Sequence, residues 1–285
     1  MITLKEFAYA KLNLTLDVLT KRPDGYHDLK SVMQTVSFHD DVEIDVGTKQ
    51  PWSLQCSQSA IPTDERNHAW KAARVFFETV GIDPEGITIR ITKRIPSEAG
   101  LGGGSADAAA VLRALNRHYC DRFSLPDLAN LGAAVGSDVP FCVLGGTAMA
   151  EGRGERLRVL PRLPACYIVI CKPDFSASTP ALYRKLDESD IITRPNNEDM
   201  ESALVAGDLQ RIGRNIFNVF DPLVSLEHTE VEDIKAICKM QGALGQQMTG
   251  SGSAVFGLFS SLDNANAAMD LLKQKYPQVF LASPV

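Results

Sequence analysis

The sequence lacks the patterns that mark several large functional classes. Its formal net charge is −6 and it has no long run of basic residues, which argues against a surface that binds nucleic acid by bulk charge. No window approaches the ~20 consecutive apolar residues of a membrane helix, and the N-terminus lacks the profile of a signal peptide. We therefore expect a cytoplasmic protein without nucleic-acid or membrane partners.

Cysteine pairs are also missing. The chain has six cysteines, and no two of them form a C-x-x-C pair. Scattered thiols of this kind are more typical of buried side chains than of disulfides or zinc ligands. The six positions are Cys56, Cys120, Cys142, Cys166, Cys171 and Cys238.

The length and composition fit two domains. The chain has 285 residues, of which 45% are hydrophobic. Two predicted strands, 147–151 and 156–160, are followed by the proline-bearing segment 161–165, which we take as a boundary. The strands and helices that follow it predict an α+β second domain. We expect domains at residues 1–160 and 161–285.

Strict alternation of apolar and polar residues begins at Lys11. In KLNLTLDV the even positions are apolar, so Lys11 and Asn13 share the opposite face of a strand. Further strands are predicted at Val32–Phe38 and Val42–Val46, and helical spacing of apolar residues is predicted from Ala69 to Val80. Later predicted elements are a strand at Tyr167–Lys172, helices at Pro180–Asp187, Met200–Ala206, Leu209–Val219, Val231–Met240 and Ala265–Lys275, and a strand at Val279–Ala282.

The most informative segment is IPSEAGLGGGSADAAA, residues 95–110. An alternating strand leads into a glycine-rich loop, and an alanine-rich helix follows, with Ser105 where an N-cap would lie. Glycine lets the backbone approach a ligand closely, and the first turn of a helix carries unpaired N–H groups and partial positive charge. This combination is typical of a phosphate site, although a tight turn with close helix packing is the alternative.

Two common phosphate motifs are excluded by their own spacing. A Walker A loop needs a lysine after its last glycine, and no lysine follows any glycine of Gly100–Gly104. The dinucleotide fingerprint needs glycine where this chain has Ser105 or Asp107. A third kind of phosphate loop is therefore expected.

Five segments, in order, carry a resemblance over the whole chain: AKLNLTLDV, KRPDGYHDL, IPSEAGLGGGSADAAA, GSDVPF and MTGSGSAVF. They resemble the kinases named for galactose, homoserine, mevalonate and phosphomevalonate, the GHMP kinase superfamily. The resemblance is strongest to the branch that uses ATP to phosphorylate the 2-hydroxyl of 4-(cytidine 5'-diphospho)-2-C-methyl-D-erythritol in non-mevalonate isoprenoid synthesis. It implies a two-domain α+β fold, with an N-terminal mixed α/β nucleotide-binding domain and a C-terminal ferredoxin-like domain.

The resemblance also implies an ATP and Mg²⁺ site. The glycine loop and the helix that follows it would hold the phosphates through backbone N–H groups, and Ser105 is a candidate magnesium contact. Lys93 and Asn67 lie where relatives contact the base. The implied ATP-binding set is Pro96, Gly100, Leu101, Gly102, Gly103, Gly104, Ser105, Ala106, Lys93 and Asn67.

Catalysis and substrate binding are implied at other matching positions. Asp138 would accept the hydroxyl proton and Lys11 would stabilise the carboxylate and the incoming alkoxide, although a capping aspartate and a surface lysine are the plain alternative. The substrate-binding set implied for the cytidyl compound is Asn13, Tyr26, His27, Thr179 and Tyr183. Tyr26 and Tyr183 would enclose the cytosine ring while His27 recognises its polar edge, unless Tyr183 is an ordinary core aromatic.

Three questions stay open from the sequence. A homoserine or mevalonate kinase on the same scaffold is one alternative, and a nucleotide-binding sensor without catalysis is another. The segment Gly250–Ser253 either closes the site or forms a hairpin turn, and Glu98 makes the path of the glycine loop uncertain. The chain is expected to be a monomer or a weak homodimer.

Overall fold

Contacts between Cα atoms divide the chain into two compact units. The computed structural model describes residues 1–189 and 193–285. The first unit comprises Met1–Ala10, His39–Ile95 and Gly102–Gly145, and the second comprises Lys11–Phe38, Pro96–Leu101 and Gly146–Val285. The division falls within two strands, β1 (Ile2–Asn13) and β3 (His27–Val46). A domain boundary at residue 160 stays a prediction.

The first unit contains a sheet built on the second half of β3. This half pairs antiparallel with β5 (Ile87–Thr92), which in turn pairs parallel with β4 (Ser53–Cys56). Ile87, Ile89 and Ile91 are buried, so the predicted alternation is confirmed. The two strands predicted at 32–38 and 42–46 form one strand instead, because the polar residues between them continue its extended backbone.

Four helices cover this unit: α1 (His68–Val80), α2 (Gly103–His118), α3 (Leu125–Gly132) and α4 (Val139–Leu144). Gly81, with a φ of 66°, ends α1 at the predicted place. The alanine-rich side of α2 packs against α1 and α4. Small side chains allow that close approach, which explains the composition of the segment after the glycine loop.

The second unit contains the sheet around residues 11–38. The first half of β3 pairs antiparallel with β2 (Thr15–Lys21) and with β6 (Thr147–Gly152), which also pairs with β7 (Arg156–Val159). The apolar residues of 11–18 are buried, and the polar ones opposite them are buried too. Both faces of this segment therefore meet protein, and its polar residues need partners inside the protein.

A separate antiparallel sheet of four strands completes the second unit: β8 (Tyr167–Lys172), β10 (Gly245–Met248), β11 (Val255–Phe259) and β12 (Gln278–Ala282). Its spatial order is β10-β11-β8-β12. Numbered along the chain this is 4-1-3-2 read from β12, which is the expected ferredoxin-like arrangement. Helices α9 (Glu230–Met240) and α10 (Leu262–Lys273) pack against it.

The remaining helices of the second unit are α5 (Thr179–Asp187), α6 (Asn197–Ala206), α7 (Leu209–Asn215) and α8 (Asp221–Ser225). The helix predicted at 209–219 is too long, because the chain leaves α7 at Ile216 and pairs β9 (Phe217–Asn218) with β2. None of the helices in the described ranges is long and apolar enough to cross a membrane.

None of the six cysteines, which all lie in the described ranges, is part of a disulfide, and four of them are buried as expected. Cys142, Cys166, Cys171 and Cys238 are buried, whereas Cys120 is exposed and Cys56 is intermediate. Burial raises the pKa of the Cys166 and Cys238 thiols to about 12. The thiolate is the reactive form of cysteine. These two side chains are therefore protected from reagents because they are buried and because their thiols stay protonated.

We expect a thiol reagent to separate these classes in the native protein. Cys120 should react first and Cys56 more slowly, while the buried four should react only when the protein unfolds. Mass spectrometry of peptides after timed labelling at pH 8 would check this, with labelling in denaturant as the control. Rapid modification of Cys171 or Cys238 in folded protein would contradict the packing described for the second unit.

Candidate active site

The candidate residues lie in both units. The first unit holds Asn67, Lys93, Gly102, Gly103, Gly104, Ser105, Ala106 and Asp138. The second unit holds Lys11, Asn13, Tyr26, His27, Pro96, Gly100, Leu101, Thr179 and Tyr183. The residues within each unit are therefore described as separate groups.

The glycine loop of the second unit is held against the late glycine-serine segment. Gly100 has a φ of +73°, and a Cβ added to it would lie 2.1 Å from the carbonyl oxygen of Thr249. Ala254 N–H donates to the carbonyl oxygen of Ala99 (3.1 Å), and Lys11 N–H donates to that of Leu101 (3.0 Å). Gly250–Ser253 thus supports the loop, which the sequence left undecided.

Glu98 has an unusual backbone conformation in this loop. Its φ of 53° lies in the left-handed region, which a non-glycine residue adopts at some cost. Its side chain is exposed beside a cleft of about 480 Å³ in the second unit. Thr179, Ser251 and Gly252 line the same cleft, and the Thr179 and Ser251 hydroxyl oxygens are 2.7 Å apart.

The N-cap of helix α2 lies three residues before the predicted N-cap. Gly102 has a φ of 70° and occupies the N-cap position without a side-chain hydrogen bond, so the prediction of Ser105 as N-cap is wrong. The left-handed turn at Gly102 already starts the helix, and Ser105 lies in its first turn. The first hydrogen bond here runs from Ala106 N–H to the Gly102 carbonyl oxygen (2.8 Å). The N–H groups of Gly103–Ser105 precede it and can bind an anion.

Lys11 and Asn13 share a face of β1, as predicted. The Lys11 ammonium donates to Asn13 Oδ1 (2.8 Å), and Asn13 Nδ2 donates to the Ser31 hydroxyl (2.8 Å). The Asn13 backbone N–H donates to the Thr249 hydroxyl (3.0 Å). Only 5% of Lys11 is exposed, so its orientation is set by these buried partners. Sequence reasoning missed Ser31 and Thr249, which lie far from Asn13 in the chain.

Asp138 lies at the N-terminus of α4, as expected, and its side chain makes no capping hydrogen bond. A catalytic role for Asp138 stays a prediction. Asn67 does cap a helix: its Oδ1 accepts the Ala69 N–H (2.9 Å), and its Nδ2 donates to the Pro62 carbonyl oxygen (2.8 Å). The Asn67 side chain is thus already engaged within the protein.

Lys93 is the centre of a buried ion cluster. Its ammonium donates to Asp40 Oδ2 (2.5 Å) and to Asp107 Oδ2 (2.8 Å). Burial raises the pKa of Asp107 to about 7, against the lowering effect of Lys93. Burial lowers the pKa of Lys93, but Asp107 and Asp40 outweigh this and raise it overall. No local sequence pattern predicts this cluster, because Asp40 lies 53 residues before Lys93.

His27 and Tyr183 form a stacked pair in the second unit. Their ring centroids are 4.8 Å apart with an interplanar angle of 24°. His27 Nε2 lies 2.7 Å from Asp187 Oδ1, and the Lys21 ammonium lies 2.5 Å from Asp187 Oδ2. Lys21 and then His27 hold the pKa of Asp187 below its usual value. Asp187, which sequence reasoning missed, therefore orients the imidazole ring.

Tyr26 and Tyr183 differ in environment. Tyr26 is 56% exposed, with the Arg153 guanidinium carbon 5.0 Å from its ring centroid. Tyr183 is half-buried and also packs against Phe220, at 5.0 Å with an angle of 79°. Tyr183 thus has the packing of a core aromatic, and its role in substrate binding stays a prediction.

Comparisons with known proteins identify the family of this chain. The GHMP kinases N terminal domain matches residues 67–146, and the GHMP kinases C terminal domain matches residues 200–278. A protein of Caldicellulosiruptor saccharolyticus named 4-diphosphocytidyl-2-C-methyl-D-erythritol kinase is 43% identical over 276 residues, which cover 97% of this chain and 95% of that protein. The chain belongs to the 4-diphosphocytidyl-2-C-methyl-D-erythritol kinase family. It is a GHMP kinase with the two-domain α+β fold of that superfamily.

Two solved structures are similar to this chain, one at the level of the family and one at the level of the fold alone. A crystal structure of a 4-(cytidine 5'-diphospho)-2C-methyl-D-erythritol kinase has a TM-score of 0.82 and 32% identity, and covers 98% of each chain. Homoserine kinase from Cytophaga hutchinsonii has a TM-score of 0.78 at 21% identity, and covers 99% of this chain and 94% of its own. The second likeness shows the shared fold alone.

We expect Gly100→Ala to weaken both stability and nucleotide binding. The substitution adds a left-handed φ penalty of about 1–2 kcal/mol and a clash with the Thr249 carbonyl. Gly146→Ala is the matched control, since Gly146 has a φ of +71° and no atom within 4 Å of an added Cβ. Urea unfolding and ADP titration would check this. Equal losses in both variants would contradict the close approach at Gly100.

Proposed function

We propose that this chain transfers the γ-phosphoryl group of ATP to the 2-hydroxyl of 4-(cytidine 5'-diphospho)-2-C-methyl-D-erythritol, which gives the 2-phosphate and ADP. The observation that carries the proposal is the 43% identity to a kinase of that name, over 97% of the chain. The retained Lys11, Asp138 and glycine loop argue against a sensor without catalysis. We further propose that the protein acts in the cytoplasm as a monomer or weak homodimer.

The nucleotide phosphates are proposed to bind the glycine loop, through residues 96–106. The support is the row of N–H groups at Gly103–Ser105, which precede the first hydrogen bond of α2, together with the positive end of the helix. We also propose that Asn67 and Lys93 lie beside the nucleotide. Their hydrogen bonds to other residues of the protein suit them to shaping the pocket.

The chain also suits a magnesium nucleotide. Among the residues that the structure describes, no cluster of three His, Cys, Asp or Glu side chains could hold a metal by itself. That fits Mg²⁺, which keeps several waters and is bound largely through substrate phosphates. The Ser105 hydroxyl in the first turn of α2 is the proposed protein contact. When bound, the ion would neutralise charge that develops on the phosphates.

Asp138 is proposed to accept the proton of the attacking hydroxyl, and Lys11 to stabilise the alkoxide that forms. Asp138 is suited because it lies at the N-terminal end of α4. Lys11 is suited because Asn13 fixes its buried ammonium. Phosphoryl transfer passes through a loose transition state, so orientation of the hydroxyl contributes much of the effect.

The cytidyl group is proposed to bind Tyr26, His27 and Tyr183, with Thr179 in the adjoining cleft and Asn13 near the erythritol hydroxyls. Asp187 holds the imidazole ring of His27 in one orientation, which suits it to recognising the polar edge of a base. Stacking of a base on an aromatic ring contributes about 1–3 kcal/mol. These groups favour a cytidyl substrate over the small alcohols homoserine and mevalonate.

A coupled ADP assay against a panel of alcohols would test the function. We expect ADP release with Mg²⁺, ATP and the cytidyl diphosphate substrate, and no release above background with homoserine or mevalonate. Omission of the alcohol controls for ATP hydrolysis. Turnover of homoserine or mevalonate, with no response to the cytidyl compound, would assign the chain to another activity of the superfamily.

Lys11→Met and Asp138→Asn should each lower kcat by about 10²–10⁴-fold, as expected for loss of a positioned acid-base or charge-stabilising group. ADP affinity should stay within about threefold, because neither side chain is proposed to grip the phosphates. Lys5→Met, an exposed lysine on the same strand paired with Glu43, is the control. Turnover near that of the wild type in either variant would remove the corresponding role.

A further inference from the structure

A buried ion cluster lies at the N-terminal end of α2, and none of the roles proposed above accounts for its charges. The side chains of Asp40, Lys93 and Asp107 are 0%, 3% and 4% exposed. Lys93 bridges the two carboxylates, as described above. Asp107 Oδ1 is buried and makes no hydrogen bond within the described residues. Burial of three charges with one unsatisfied oxygen is costly, so a purely structural benefit is a weak explanation.

The cluster joins three parts of the first unit. Asp40 Oδ1 accepts the N–H groups of Arg94 and of Ile95 (2.7 Å), the residues that lead into the glycine loop. Asp107 lies in the second turn of α2. A Cβ added to Gly103 would lie 3.2 Å from the Lys93 ammonium nitrogen and 3.1 Å from Ile95 Cγ2. The first residue of α2 therefore packs directly on the Lys93 side chain.

The charges of the cluster affect how strongly the first turn of α2 attracts an anion. The first turn of α2 attracts an anion through its N–H groups, and two carboxylates beneath it oppose that attraction. The Lys93 ammonium offsets the negative charge of the two carboxylates, and it also holds the first turn of α2. Removal of the lysine would leave two carboxylates buried near each other, which is strongly unfavourable.

We propose that Lys93 is a positioning residue for the nucleotide. Together with Asp40 and Asp107 it holds the first turn of α2, and its charge keeps the two carboxylates from repelling the phosphates bound there. Lys93 acts through the helix and not by contact with the nucleotide. The proposal rests on the proposed function, since it assumes that ATP phosphates bind this helix end.

Lys93→Met is the first test. We expect the dissociation constant of ADP, measured by calorimetry without the alcohol, and the KM for ATP to rise about tenfold or more. The kcat at saturating ATP should change by less than about threefold, because no reacting group is touched. At pH 9, above the pKa of about 7 to which burial raises Asp107, Asp107→Asn added to Lys93→Met should restore most of the ADP affinity, because it removes one uncompensated carboxylate.

Arg113→Met is the matched control on the same helix. Arg113 pairs with Glu6 (3.2 Å) and donates to the Cys142 carbonyl oxygen (2.5 Å), three turns from Gly103 towards the other end of α2. It should lower the midpoint of thermal unfolding with unchanged ADP affinity. Equal loss of ADP affinity in Arg113→Met and Lys93→Met, or no rescue in the double variant, would overturn the proposal.

Two further results keep the test decisive. If Lys93→Met does not fold, Asp107→Asn alone is informative, because it retains the Lys93–Asp40 pair. ADP affinity that is unchanged or tighter supports the proposal, and an approximately tenfold weakening would overturn it. Failure of the wild type to turn over the cytidyl substrate while it still binds ADP would count against the proposed function and leave the role of Lys93 in place.

Discussion

The structure depends on one close contact between backbones, that of Gly100 with the carbonyl of Thr249. Only a residue without a side chain can occupy this place. The same loop meets the Lys11 backbone through Leu101, and Thr249 meets the backbone of Asn13. Lys11 and Asn13 are thus tied to the loop and to Thr249 through their backbone N–H groups, which are less adjustable than contacts between long side chains.

Each unit contains one buried lysine of the candidate site. In the second unit the Lys11 ammonium donates to Asn13 Oδ1. In the first unit Lys93 is surrounded by carboxylates, and electrostatic balance determines its state. A lysine that receives its partners from protein carboxylates is suited to holding structure.

Much of the fold was predictable from local pattern, and much of the site was not. The glycine loop and the helical spacing from Ala69 to Val80 follow from turn chemistry and periodicity within short windows, whereas the ferredoxin-like domain was expected from the family resemblance. Ser105 looked like an N-cap because serine commonly caps helices, but Gly102 had already turned the chain. Asp107 and Asp187 carry no local signal, since an acid on a helix is usually solvated. Their roles depend on Lys93 and His27, and the second of these lies 160 residues away.

The order of the second unit along the chain affects how the protein is made. Residues 11–38 pair with β6, with β9 and with Thr249, all of which follow much later. At about 5–20 residues per second, a ribosome needs on the order of ten seconds to reach Thr147 after Gln34 has emerged. During that interval an edge with apolar side chains and unpaired amides is open to solvent. Nascent chains of this protein therefore present a natural substrate for chaperones that shield unpaired strands.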